Sequence, residues 1–185
     1  MDLALKHPVA LVPTMGALHA GHASLIEIAR KFSPEVVVSI FVNPLQFENP
    51  NDFSTYPKSV DADVALATAS GATKIWVPTF DEIYPNDPVL ISSGEIGNLF
   101  EGVHRFGHFD GMLTVVKRFF DLVTPKYAIF GEKDFQQLFL IKKMVAQMKL
   151  PIEIISAPTI RKASGLAMSS RNQKLSTTER ESAAG

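Results

Sequence analysis

Residues 9–22 read Val9-Ala10-Leu11-Val12-Pro13-Thr14-Met15-Gly16-Ala17-Leu18-His19-Ala20-Gly21-His22. Four apolar residues closed by a proline predict a short buried strand. Thr14 to Gly21 is a turn-like stretch with two glycines. From His22 to Lys31, Ala23, Leu25, Ile26, Ile28 and Ala29 share one side and Glu27, Arg30 and Lys31 the other, the period of a helix. Strand, glycine turn and helix in that order set the pattern that the rest of the chain repeats.

Ser33-Pro34 stops the helix, and Val36 to Val42, β-branched and almost wholly apolar, predicts a strand buried on both faces and ended by Asn43-Pro44. Residues 49–57 read as a polar loop with two prolines, and 61–70 as a helix stopped by Gly71. Lys74 to Val77 predicts a strand, 84–88 a loop and Val89 to Ile91 a short strand. Gly111 to Val123 predicts an apolar helix, Tyr127 to Phe130 a strand, Phe135 to Lys149 a helix and Pro151 to Ile155 a last strand. Strands and helices alternating at these spacings give an α/β fold, a doubly wound parallel sheet with helices on both faces. Ser176-Thr177-Thr178-Glu179 has the form of a capping box, so a further helix is expected from 176 to the last residue, Gly185.

Composition removes several classes of function. The chain has 185 residues, 46% of them hydrophobic and 20% charged, which suits a packed domain rather than a disordered one. Eighteen Lys and Arg against 19 Asp and Glu leave a net charge of −1, without the basic footprint of a duplex-binding protein, so no nucleic-acid partner is expected. With no cysteine there is no disulfide, thiolate nucleophile or Cys-based metal site, and the composition fits the cytoplasm. No apolar run reaches the ~18 residues of a membrane helix. Met1 to Pro8 lacks the basic and apolar regions of a signal peptide, so neither membrane nor secretion is expected.

Four segments carry chemistry. In the first, His19 and His22 sit three apart where a strand gives way to a helix, a junction whose free N–H groups and positive dipole end suit a phosphate. Capping the helix or packing on the loop is the plainer role for a lone histidine, but two of them at a strand–helix junction with two glycines favour the ligand. In the second, Asn43 and Gln46 lie just past the carboxyl end of a strand, where open α/β sheets place ligands; Asn-Pro turn chemistry is the equal alternative. In the third, Lys133 offers a point charge to phosphate, Asp134 stands where a helix cap would stand, and Gln137 follows within one turn. In the fourth, Ser169, Ser170 and Arg171 can hold phosphate oxygens through charge-assisted bonds. Together they suit a triphosphate beside a small polar molecule. Neither GxxxxGK[ST] nor GxGxxG is present, and a zinc site recruiting His104 and His108 has no HExxH to support it.

His19-Ala20-Gly21-His22 resembles the HxGH signature of the nucleotidyltransferase superfamily. PTMGALHAGH (13–22), SIFVNPLQF (39–47), the step Tyr56-Pro57-Lys58, RFGHFDGMLTVV (105–116), FGEKDFQQL (130–138) and GLAMSSRN (165–172) together resemble the pantoate–β-alanine ligase family, over nearly the whole chain and in order. The resemblance implies a Rossmann-like domain over 1–175 and, at 176–185, the start of a C-terminal lid domain that is otherwise missing. It implies that ATP and pantoate form pantoyl adenylate, which the amine of β-alanine then attacks to give pantothenate. His19, His22 and Lys133 would be catalytic. Pro13, Met15, Gly16, Gly21, Gly131, Asp134, Met168, Ser169, Ser170 and Arg171 would contact ATP, and Met15, Asn43, Gln46 and Gln137 the pantoate. Mg²⁺ would accompany ATP. The family's acidic cluster reads Asp61-Ala62-Asp63 here, which leaves Asp63 as the candidate metal ligand. A homodimer is the implied assembly. Two alternatives stand beside this reading: a nucleotide-binding fragment inactive without its lid, and another HxGH nucleotidyltransferase.

Overall fold

Val9 to Val12 have no solvent exposure at all, and their side chains part to opposite faces of the sheet. Val9 and Leu11 enter one apolar cluster, Ala10 and Val12 the other. A strand buried on both sides needs a layer on each face. The computed structural model, which describes residues 5–57 and 59–183, supplies both layers. Strands β1 (Val9–Thr14), β2 (Glu35–Ile40), β3 (Lys74–Trp76), β4 (Tyr127–Gly131) and β5 (Glu153–Ala157) form one sheet in the order β3-β2-β1-β4-β5, and every pair is parallel. Helices α1 (Ala20–Phe32) and α3 (Val60–Ala69) cover one face through Ile26, Ala29 and Ala67. Helices α5 (His108–Val123) and α6 (Phe135–Gln147) cover the other through Phe109, Phe119, Phe120, Leu140 and Ile141. This is the doubly wound α/β sheet expected.

The element borders differ from expectation for identifiable reasons. β1 runs through Pro13 to Thr14, because β1 pairs with β4 only at Ala10 and Leu11 and the missing N–H lies beyond that ladder. The segment expected as a loop contains α2 (Pro50–Ser54): Asn49 accepts a bond from the Asn51 N–H, and Pro50 takes the first helical position. A further short helix, α4 (Phe80–Ile83), has no counterpart in the sequence pattern and rests on a capping box between Thr79 and Glu82. The strand expected at 89–91 does not form. Val89 is 88% exposed, and the Ile91 N–H bonds to the Thr114 hydroxyl rather than to a strand. β2 ends at Ile40, two residues early, and β5 begins at Glu153, where its ladder with Tyr127 starts. The capping box at Ser176 and Glu179 does open α7 (Thr177–Ser182). Lys58, the last residue of the Tyr-Pro-Lys step, lies outside the described residues.

Candidate active site

From β1 the chain winds outward to β2 and β3, then crosses back to β4 and β5, so the β1–β4 boundary is the topological switch point of the sheet. Open α/β sheets bind ligands there, beyond the carboxyl ends of the strands. A cavity opens at that place. Pro13 and Met15 come from the end of β1 and the loop after it; His19, Gly21 and His22 come from the start of α1; Gly131 ends β4; Lys133, Asp134 and Gln137 enter α6. Met168, Ser169, Ser170 and Arg171 close the cavity from the segment after β5. That segment is a small hairpin, with Arg161 bridged to Ala167 and the Met168 N–H bonded to the Ile160 carbonyl. Thirteen of the residues singled out by sequence therefore share one cavity.

The two histidines hold α1 together and face the cavity at once. Nδ1 of His19 accepts a bond from the Gly21 N–H at 3.1 Å, and Nδ1 of His22 accepts from the His19 N–H at 3.2 Å, a capping box built from imidazoles. Glycine at position 21 leaves room for the capping ring, because a Cβ there would stand 2.9 Å from Cε1 of His19 and the ring would have to shift. Since both Nδ1 atoms accept, each neutral ring carries its proton on Nε2. The rings lie 4.2 Å apart. Burial, then the neighbouring Lys133, lowers the pKa of His19. Burial, then the adjacent His19, takes His22 down to about 3. Capping and ligand contact are not alternatives for these rings: one nitrogen of each caps, which leaves the other as a donor.

These shifts make the fold acid-sensitive. His22 and the buried His108, which burial takes down to about 4, hold their neutral forms in the native state, against an ordinary value of 6.5. Between about pH 6.5 and pH 4 the unfolded chain gains protons that the folded chain does not, so stability falls as pH falls. At pH 5 each ring is expected to cost about 2 kcal/mol relative to neutral pH. Urea unfolding at pH 7.5 and pH 5 measures this directly, and equal stabilities would refute it.

The remaining candidates divide. Lys133 donates to Asp134 at 2.6 Å across a largely exposed pair, so Asp134 serves the lysine and does not cap α6 with its side chain. Gln46 is buried, and its Nε2 donates to the sulfur of Met15 at 2.9 Å. Asn43 is fully buried and spends its amide inside the protein: Nδ2 donates to the Gly111 carbonyl at 3.0 Å, and Oδ1 accepts from Leu45 N–H and Tyr84 hydroxyl. It supports the turn carrying Gln46. Neither Asn43 nor Gln46 lines either cavity, and Gln46 reaches them through Met15, which lines both. Gly16 is also displaced from expectation. It lies on a neighbouring, more apolar cavity with Ile40, Phe53 and Phe80, which meets the first one at Met15.

Asp63, the candidate metal ligand, is tied into the fold. It is 2% exposed, and both carboxylate oxygens point at the loop before α1, Oδ2 accepting from the Ala17 N–H at 2.9 Å and Oδ1 from the Leu18 N–H at 2.7 Å. The Ser59 hydroxyl adds a third bond at 3.3 Å. Gly16 and Ala17 both have positive φ, an arrangement that costs about 1–2 kcal/mol at the alanine and needs an external hold. Asp63 is that hold. Both carboxylate oxygens are thus engaged with the backbone of the fold. No group of three metal-ligating side chains exists among the described residues, so none gathers around His104 and His108. Two contributors go unassigned by the sequence. Tyr56, buried, meets Ser170 through its hydroxyl at 3.4 Å and lies under the Arg171 guanidinium. His108 contacts the Gln46 backbone. Both stand inside recognised strings, but only the fold brings Tyr56 to Ser170 and Arg171 of the cavity, and His108 to the turn that carries Gln46.

A parallel sheet whose switch point opens on a histidine-capped HxGH helix defines the class, an α/β domain of the HxGH type. Comparison with known proteins gives the family. The pantoate-β-alanine ligase family model matches residues 2–185, and the chain belongs to that family. A pantothenate synthetase from Acidothermus cellulolyticus is 55% identical over 181 residues, 97% of this chain and 60% of that protein. The crystal structure of pantothenate synthetase from Thermus thermophilus superimposes with a TM-score of 0.92 at 45% identity, over 98% of this chain and 67% of that one. A pantoate-β-alanine ligase from Francisella tularensis, complexed with β-γ ATP and β-alanine, gives 0.90 at 43% identity, over all of this chain and 70% of that one. The chain thus spans about 60% of the length of its curated relative. No helix among the described residues is long and apolar enough to cross a membrane.

Proposed function

We infer that this chain is the catalytic domain, over 1–175, of an AMP-forming ligase that joins pantoate to β-alanine by way of pantoyl adenylate. The observation that carries the reading is the convergence of two neutral Nε2–H donors, Lys133, Ser169, Ser170 and Arg171 on one cavity at the sheet's switch point, in a member of this family. The pantoate carboxylate attacks the α-phosphorus of ATP, and pyrophosphate leaves. No enzyme nucleophile is needed, so the protein's work is alignment and stabilisation of charge on phosphoryl oxygens. His19 and His22 donate to those oxygens without changing protonation state, and Lys133, the serine hydroxyls and Arg171 bind the phosphates. Gln137 and Gln46, with Met15 between the two cavities, orient pantoate. In the second step the β-alanine amine attacks the acyl carbon, the carbon–oxygen bond to phosphate breaks, and AMP departs. Mg²⁺ enters with ATP as the MgATP substrate, since it offsets triphosphate charge, and not through a carboxylate cage of the chain. A homodimer working in the cytoplasm completes the reading.

Mixing the chain with ATP, Mg²⁺ and pantoate tests it by pyrophosphate release. Release without β-alanine is expected. ATP binding with no release would favour the inactive-fragment alternative. Dependence on some other, phosphorylated substrate would favour another nucleotidyltransferase. His19→Ala and His22→Ala are each expected to slow release by about 10²-fold, the effect of losing one charge-stabilising donor worth ~3 kcal/mol. Full turnover in both would remove the histidines from the mechanism.

A further inference from the structure

Gln46 sits in a single turn, Pro44–Gln46, and is almost fully buried, with its amide between the Met15 sulfur at 2.9 Å and Asn43 Nδ2 at 3.4 Å. A side chain that reads a small substrate has to be held from its backbone, because any sliding of a three-residue turn moves its amide by as much as the turn slides. The hold comes from the first turn of α5. Nδ1 of His108 lies 2.8 Å from the Gln46 carbonyl oxygen. Three residues on, the Gly111 carbonyl accepts from Asn43 Nδ2 at 3.0 Å. The backbones are close enough that a Cβ on Gly111 would stand 2.1 Å from the Leu45 carbonyl oxygen. Of these ties from α5, the imidazole is the one that bonds Gln46 itself. A carbonyl can only accept, so the neutral ring carries its proton on Nδ1, the opposite tautomer from His19 and His22.

We propose that His108 is a positioning residue for pantoate recognition, which donates from Nδ1 to the Gln46 carbonyl and so fixes the Gln46 amide against Met15. The proposal deepens the functional reading above and rests on it. His108 is 5% exposed, and its ring packs at 4.9 Å against Phe109, so the ring is held within the protein interior. Burial, then the positive charge of Arg105, disfavours protonation and keeps the ring in the neutral form that a single directed donor requires. The effect reaches pantoate through Gln46 and leaves the phosphate groups of ATP, held by α1 and the 168–171 segment, undisturbed.

Titration calorimetry of the chain with pantoate and, separately, with a non-hydrolysable ATP analogue tests this. His108→Phe keeps the ring volume and removes the donor, and is expected to weaken pantoate binding about tenfold, the equivalent of one buried hydrogen bond, with the analogue's affinity unchanged. His108→Asn sets an amide nitrogen where Nδ1 stood and restores most of the affinity. Equal pantoate affinity in His108→Phe, equal losses for both ligands, or no rescue by asparagine each overturns the proposal. Should His108→Phe fail to fold, the long-range ¹H–¹⁵N spectrum of the unaltered chain decides: a protonated Nδ1 that shifts with pantoate and not with the analogue supports it, and a protonated Nε2 overturns it. An unaltered chain that binds neither ligand overturns the functional reading itself, an outcome distinct from all of these.

Discussion

Gly111→Ala is expected to destabilise the fold by about 3 kcal/mol or more, the upper range of overpacking, and to lower the unfolding midpoint by roughly 6–12 °C. The direction runs against helix propensity. Gly111 lies inside α5, where alanine ordinarily gains up to about 1 kcal/mol over glycine. Here the added methyl would meet the Leu45 carbonyl oxygen at 2.1 Å, its carbon at 2.4 Å and the Gln46 nitrogen at 2.8 Å. All three atoms are backbone, so no rotamer change relieves the contact, and the 43–46 turn and α5 must separate. Separation breaks the Asn43–Gly111 bond and leaves a fully buried amide short of a partner, which adds to the steric term. Thermal unfolding measures the sum. A midpoint within about 2 °C of the unaltered chain would mean that the turn and the helix slide apart without cost. Pantoate binding should suffer with stability in this variant, because Gln46 moves with the turn.

What the sequence shows of this protein and what it hides follow from the range of the forces involved. Val9 to Val12 and the Val36–Ile40 run declare strands buried on both faces through composition alone, and two such strands joined by an amphipathic helix already require a parallel sheet with two layers. The cavity is legible too, because its residues stand at strand ends and in turns, where side chains have few structural duties. The structural duties hidden from the sequence fall where a residue's partner is distant along the chain. Asp63 bonds residues 45 and 46 positions away, and no local pattern distinguishes a carboxylate aimed at backbone amides from one aimed at a metal ion. Asn43 caps its own turn, as an Asn-Pro step suggests, but its amide nitrogen reaches 68 residues along the chain to Gly111. The short helices α2 and α4 escape notice for the opposite reason. Four or five residues carry no period, and only the caps Asn49 and Thr79 announce them.

Asp63→Ala is expected to produce the second large effect, and Asp63→Asn most of it. The carboxylate accepts from two successive backbone N–H groups, so alanine leaves both without a partner in a loop that Gly16 and Ala17 already hold in left-handed geometry. A lost acceptor costs about 1–3 kcal/mol per buried donor, which places the alanine variant roughly 2–4 kcal/mol below the parent once the loop partly relaxes toward water. Asparagine has nearly the same shape but one acceptor. Whichever way its amide turns, an NH₂ group confronts either Ala17 N–H or Leu18 N–H, and the loop must shift. The shift carries His19 with it, since Leu18 precedes the cap directly, and the donor pair that α1 presents to the cavity loses its alignment. ATP-analogue affinity should therefore fall together with the metal-free unfolding midpoint. A magnesium ligand behaves otherwise: its removal leaves metal-free stability intact and changes only how affinity responds to Mg²⁺ concentration. Thermal unfolding in chelator, set beside analogue binding across a Mg²⁺ series, separates the two roles. An unchanged midpoint in chelator with an altered Mg²⁺ response would return Asp63 to the metal and leave the strained turn of Gly16 and Ala17 without its hold.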